Sequence, residues 1–212
     1  MSWLKNAENL KSILQSLAAC NDQGKEMDLD VALLQWEKCT WLAREAHKTV
    51  YLVGNGASAS MASHIAADLA KNAHVHTEVF SDLSLITALA NDLGYQEVFA
   101  EPLRRRMKEG DMLVATSSSG QSPNILRACR EAKGREGIVI TLSAMKPDNP
   151  LRSEGMINFY LPAKSYGLAE TGHAALLHYW MDQVVMGNHA FKERKPMEIG
   201  KRQRKAANSW IG

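Results

Sequence analysis

The chain has 212 residues, with 25 Lys and Arg against 23 Asp and Glu, for a net charge of +2. That length suits one ordinary domain with a sizeable core, and the near balance of charge implies no polyanion partner overall. Cys20, Cys39 and Cys129 lie far apart without CxxC spacing, which argues against a disulfide framework and fits a reducing compartment.

The first residues, MSWLKNAENLK, lack the apolar centre of a signal peptide, and no apolar run reaches 18 residues. A cytoplasmic protein without a membrane partner is expected. Residues 3–19 and 28–46 carry apolar side chains at helical intervals, and CNDQGKEM between them is rich in turn formers, so 1–47 is predicted to be a helical hairpin. Trp3, Leu4, Ile13, Leu17, Leu33, Leu34, Trp36 and Trp41 are more apolar surface than one sheet face can cover. They predict a homo-oligomer, with a tetramer as the expected form. TVYLV (49–53) is a short β-branched run ending at GNG, as a buried parallel strand does. Similar runs recur at 74–80, 111–116, 137–142 and 156–161. Helical patterns fall between and after them at 58–71, 82–91, 95–109, 123–133 and 168–187. The alternation predicts an α/β fold over 48–190: a doubly wound, flavodoxin-like three-layer sandwich around a five-stranded parallel sheet. Residues 191–212 are biased toward charge and are read as a basic accessory extension. Nucleic-acid binding through KRQRK (201–205) is not expected.

In such a sheet, ligands bind beyond the carboxyl ends of the strands, and two loops there carry the chemistry. GNGASAS (54–60) has glycines for a tight turn, and its amides and Ser58 can face an anion at a helix N-terminus. It is neither a Walker A loop nor a complete GxGxxG, since Ala59 holds the third glycine position. TSSSGQSPN (116–124) supplies hydroxyl and amide donors without fixed positive charge, and Pro123 opens the next helix. That suits a phosphate monoester held by neutral donors and a helix dipole. Either loop alone reads as well as a plain turn or an N-cap; two on successive strand ends favour one shared anion site. His64 and Asp68, spaced i, i+4, fall on one helical face. His47, His74, His76 and His189 have no such company. Tyr95 and Trp180 are read as packing residues, and Arg104–Arg105–Arg106 as a solvated face.

Taken in order, GNGASA (54–59), HIAAD (64–68), TALANDLGY (87–95), SSSGQS (117–122) and ETGHAALLH (170–178) resemble the SIS-domain phosphoheptose isomerases over about residues 30–187. The resemblance implies an aldose–ketose isomerase converting sedoheptulose 7-phosphate to D-glycero-D-manno-heptose 7-phosphate, a homotetramer with subunit-shared sites, and zinc. It implies that Asn55, Gly56 and Ala57 line the sugar phosphate, with Ala57 in place of a family glycine, and that Ser117, Ser118, Ser119 and Ser122 hold the phosphate. Asn91 and Asp92 would contact sugar hydroxyls. His64, Asp68, Glu170 and His178 match the metal and acid–base positions, with Asp68 the base, His178 its partner, and Glu170 also facing substrate. Asp68 and Glu170 depart from the family's Glu and Gln. His173 matches a further family histidine, in a supporting role at best.

Two imidazoles and two carboxylates suit a divalent transition metal. Glu170 and His178, eight residues apart, would be roughly 12 Å apart along a helix that contained both. They meet at one ion only if Glu170 precedes the helix, which Thr171–Gly172 would allow. An isomerase of a different phosphosugar, and a non-catalytic SIS protein binding a phosphosugar or a replication initiator, are the alternatives. The retained carboxylate and His178 favour an enzyme.

Overall fold

The structure, a computed structural model, describes the backbone of residues 2–193 and the side chains of residues 2–187. The extension expected at 191–212 lies, after Glu193, outside the described residues. Helix α1 (Trp3–Gln15) starts at Ser2, whose side chain accepts from the Lys5 amide, and α2 (Leu29–Glu45) starts at Asp28, which accepts from Val31 at 3.0 Å. Between them the chain departs from the expected helical hairpin. Residues 18–21 leave the helix as β1 (Ala18–Asn21), which folds back through β2 (Glu26–Met27). The reason is tertiary. β1 pairs antiparallel with the wholly buried β7 (Ile157–Leu161), covering an edge that would otherwise stand open. The turn residues close a β-hairpin: Asn21 Oδ1 accepts from Gln23 and Lys25 amides, and Gly24 takes φ +73°.

The five strands read from sequence are present as β3 (Thr49–Gly54), β4 (His76–Val79), β5 (Met112–Ser117), β6 (Ile138–Ala144) and β7, all parallel. With the hairpin the sheet has seven strands, in the order β2-β1-β7-β6-β5-β3-β4. Period-two alternation divides the core. Val50 and Leu52 of β3 pack with Trp36 of α2, Ile65 of α3 (Ala57–Asp68), and Leu177 and Trp180 of α7 (Tyr166–Glu193). Tyr51 and Val53 pack on the opposite face with Leu103 of α5 (Ala100–Arg106) and with Ile125 and Cys129 of α6 (Pro123–Gly134). Helix α4 (Leu83–Leu93) lies over that second face. Trp180 is a packing residue, stacked 4.2 Å from Trp36, with its indole N–H donated to Thr40. Among the described residues no helix is long and apolar enough to cross a membrane.

From β3 the chain moves outward to β4 and then returns past β3 to β5. Strand order therefore reverses between β3 and β5, the place where doubly wound sheets open a ligand crevice. Gly54 and Thr116 are register partners there, so the two loops read as anion-binding leave the sheet side by side.

Candidate phosphosugar and acid–base site

The turn after β3 depends on its glycines. A Cβ on Gly54 would stand 2.6 Å from that of Ser58, and Gly56 holds φ +55°, ψ −123°, a conformation closed to other residues. Helix α3 begins at Ala57 with no side-chain cap, leaving its N-terminal dipole facing the crevice. Ser58 is buried under Gly54, so it packs the turn and leaves backbone facing the crevice.

The turn after β5 is anchored from beneath. The Ala144 amide donates to the Ser118 carbonyl and the Leu151 amide to the Gly120 carbonyl, each at 3.1 Å. Gly120 has φ +63°, and buried Asn149 lies so close that no Cβ could be added there. Ser117 and Ser118 are buried at the strand end. Ser122 caps α6 by position without using its side chain, which instead meets Ser117 Oγ at 3.1 Å. Ser119 Oγ accepts from the Gln121 amide. Ser117, Ser119 and Ser122 thus ring the start of α6 with hydroxyls.

Asn55 and Ser122 both line a cleft of about 450 Å³, together with Tyr95, Gln96 and Asn124. Asn91 and Asp92 sit on the exposed end of α4, bonded to each other at 2.8 Å, and are not among the residues lining this cleft. Tyr95 is 55% exposed and donates to Asn55 at 3.1 Å, so it faces the cleft and does not pack the core as expected.

The second group lies further along α3. His64 Nε2 is 3.5 Å from Asp68 Oδ2, Lys71 Nζ is 3.3 Å from Asp68 Oδ1, and the His64 and His178 rings are 5.3 Å apart. Lys71 is placed by a π-helical turn, Leu69–Ala73, that continues α3 directly after Asp68. Glu170 does not join them. Helix α7 begins at Tyr166, so Glu170 already lies in the helix, about 12 Å along its axis from His178, and the condition for meeting at one ion is not fulfilled. Among the described residues no three His, Cys, Asp or Glu side chains are grouped to hold a metal. His173 is buried, and burial pushes its pKa down to about 4, outweighing a weak backbone interaction with Ser143 that acts the other way. It is a neutral core residue.

The SIS-domain profile matches residues 37–144. The chain is 34% identical over 156 residues to a phosphoheptose isomerase of Bradyrhizobium sp. strain ORS 278, covering 63% of this chain and 76% of that one. It is 38% identical over 143 residues to a phosphoheptose isomerase of Helicobacter pylori, covering 64% and 73%. The chain belongs to the SIS-domain family. The fold agrees: the structure of a phosphoheptose isomerase from Neisseria gonorrhoeae superposes with a TM-score of 0.74 at 23% identity, over 85% of this chain and 94% of that one.

Within this SIS chain, three residues beside the candidate groups escaped the sequence reading. Asn124 is 2% exposed and exchanges two hydrogen bonds with Asn55; its only trace in the sequence was its place after Pro123 in the serine loop. Tyr95 followed Asn91 and Asp92 in a quoted motif but was set aside as aromatic filling. Lys71 was legible as the i, i+3 helical neighbour of Asp68 but was not read as its partner.

Proposed function

We propose that this SIS-domain protein is a phosphosugar isomerase that converts sedoheptulose 7-phosphate to D-glycero-D-manno-heptose 7-phosphate through an enediol. The observation that carries this reading is the pairing of Asp68 with His64 on α3, the helix whose first turn forms half of the proposed anion cradle, with the His178 ring of α7 5.3 Å from that of His64. A binding protein needs the cradle alone. A carboxylate beside two imidazoles supplies proton transfer.

The phosphate is held by the start of α3, the start of α6 and the hydroxyls of Ser117, Ser119 and Ser122. In the ketose-to-aldose direction Asp68 removes a proton from C1. The C1–H electrons form the C1–C2 double bond, and the C2 carbonyl oxygen takes a proton from His178, giving the enediol. Asp68 then returns its proton to C2 as the C1 hydroxyl loses its own to His178, leaving the aldehyde. Lys71 and His64 hold the Asp68 carboxylate toward its task from either oxygen. The four residues expected to bind zinc do not meet at one point within a chain, since Glu170 stands about 12 Å along α7 from His178.

Distance bears on how the parts assemble. Asp68 lies eleven residues past the start of α3, roughly 17 Å along its axis. A phosphate bound at that turn therefore leaves Asp68 of the same chain about three turns away, whereas C1 and the 7-phosphate belong to one small molecule. We propose a homo-oligomer in which one copy's cradle is completed by another copy's Asp68 and His178. The exposed Trp3, Leu4, Val31, Leu34, Leu42, Tyr179 and Met186 give α1, α2 and α7 apolar faces for such contacts.

Turnover of sedoheptulose 7-phosphate by the purified protein, followed with deuterium incorporation from D₂O at the reacting carbon, is the test. Conversion with exchange is expected. Absence of turnover on this and other C5–C7 phosphosugars retires the enzyme reading. Mixing refolded His178→Ala with refolded Ser119→Ala/Ser122→Ala chains should restore part of the activity that each lacks alone, and no recovery would place the whole site in one copy.

A further inference from the structure

The Asn55 side chain makes three hydrogen bonds to two other residues of the cleft. The Ile125 backbone N–H lies 3.1 Å from Asn124 Oδ1, which identifies that atom of the buried Asn124 carboxamide as its oxygen. The Asn124 amino group consequently faces Asn55, and the two carboxamides pair reciprocally: Asn55 Nδ2 donates to Asn124 Oδ1 at 3.0 Å, and Asn124 Nδ2 donates to Asn55 Oδ1 at 2.8 Å. Asn55 Oδ1 also accepts from the Tyr95 hydroxyl at 3.1 Å, so both its lone pairs are engaged.

What remains unengaged follows by counting. Asn55 keeps one N–H. The Tyr95 hydroxyl has spent its proton on an oxygen that cannot donate, and it keeps its own oxygen lone pairs. Both residues line the same cleft. Asn55 and Tyr95 therefore offer the cleft one donor and one acceptor side by side, and Ser122 of the serine loop lines it as well. A phosphate dianion has only acceptors and cannot satisfy the Tyr95 oxygen. A sugar hydroxyl, which donates once and accepts as well, satisfies both.

Tyr95 is also held in place. Gly94 before it adopts φ 92°, ψ 150°, a region essentially reserved for glycine, and this turns the chain from α4 back over the cleft. Two residues later, Glu97 is bound by Arg127 of α6 at 2.9 Å and by Arg104 of α5 at 3.4 Å, tying the segment to the helix that carries Asn124.

We infer that Tyr95 contacts substrate, its hydroxyl oxygen accepting a hydrogen bond from a sugar hydroxyl that in turn accepts from Asn55, and that Asn124 is the positioning residue that sets this polarity. The inference rests on the phosphosugar reading of the site and adds to it the residue that senses the sugar rather than the phosphate.

Tyr95→Phe in the full-length protein decides the matter, because the ring is exposed and the variant should fold with an unchanged melting temperature. The wild type is assayed first; if it neither turns over nor binds a phosphosugar, the phosphosugar reading has failed before the variant is reached. With an active wild type, Tyr95→Phe should raise KM for the phosphosugar about three- to tenfold, the size of one neutral hydrogen bond, with kcat little changed. Its affinity for inorganic phosphate should stay at the wild-type value. An unchanged KM overturns the inference, as does an equal loss of affinity for phosphate and phosphosugar, since the hydroxyl would then only shape the anion turn. Asn124→Ala tests the positioning role: it should raise KM for the phosphosugar, and adding Tyr95→Phe should cost less than the two separate effects combined. Full additivity would show that Asn124 does not act through the Asn55–Tyr95 pair.

Discussion

At the C-terminal ends of β3 and β5 the proposed anion cradle is made of backbone, glycines and neutral side chains locked by buried contacts. His64, Asp68 and His178 meet instead on the more open faces of α3 and α7, through separations of 3.3–3.5 Å around Asp68. The difference follows from what each region must do. Holding a dianion with neutral donors requires amides and hydroxyls already aimed, so the loops after β3 and β5 are anchored from below by Ser58, Asn149, Ala144 and Leu151. Moving a proton requires groups that the substrate can reach, and His64, Asp68 and His178 are all at least partly exposed. The cradle should therefore fail through binding and the proton-transfer group through rate.

The largest effect should come from the second region. Asp68→Asn or His178→Ala removes a proton-transfer group, and kcat should fall by about 10²–10⁴-fold with KM near the wild-type value. Neither side chain is part of the buried core, so the melting temperature should hold. A parallel rise in KM without loss of kcat would assign these residues to binding and erase the contrast.

The cradle should behave oppositely. Ser119→Ala with Ser122→Ala removes two hydroxyls from the phosphate, and affinity for phosphosugar and for inorganic phosphate should fall together, on the order of 10²-fold, if both bonds are charge-assisted. Calorimetry reads both. Unchanged affinity would mean that the backbone amides of α3 and α6 hold the anion without the serines.

How much of this could be read from the sequence depended on how local each signal was. The five parallel strands and the two loops were legible because a β-branched run ending in Gly or Ser carries its meaning within ten residues. The β1–β2 hairpin was not. Leu17, Ala18 and Ala19 keep a helical period, and only the open edge of β7, some 140 residues away, draws them into the sheet. The setting of Glu170 was hidden for the same reason. Thr171–Gly172 would have allowed a helix beginning after Glu170, but α7 begins at Tyr166 and runs through Gly172, where a Cβ would stand 2.7 Å from Leu161. The glycine serves close packing of helix on strand, and the helix runs through it. Tyr95 and Asn124 needed the fold itself, since their pairing with Asn55 joins three loops.

His173 offers a test in which neither region takes part. Its imidazole titrates near 6.5 when unfolded, while burial holds it near 4 in the fold. Between those values the unfolded chain binds more protons, so stability is fully present above pH 6.5 and is lost as pH falls toward 4. The loss amounts to roughly 3 kcal/mol from this residue. Melting temperature against pH for wild type and His173→Leu should diverge over that window, the variant curve being flatter. Activity per folded molecule should not follow the His173 transition. A variant curve as steep as that of the wild type would assign the acid loss to other groups.

The smallest effect should fall on Glu170. If it were a ligand sharing an ion with His178, replacing it would change metal content as strongly as replacing His178 itself. The helix forbids that within one chain, because the residues lie on one continuous α7 with about 12 Å of axial rise between them. Glu170→Gln also installs the residue that the phosphoheptose isomerases carry there, with the same length and hydrogen-bonding reach but no charge. Turnover should therefore stay within about threefold of wild type, the range of one neutral hydrogen bond gained or lost. Metal content measured by elemental analysis should be equal in the two proteins. His178→Ala, prepared in parallel, separates the cases: a metal content that falls in both variants would show Glu170 acting with His178 on one ion, which could then be reached only from another copy's α7.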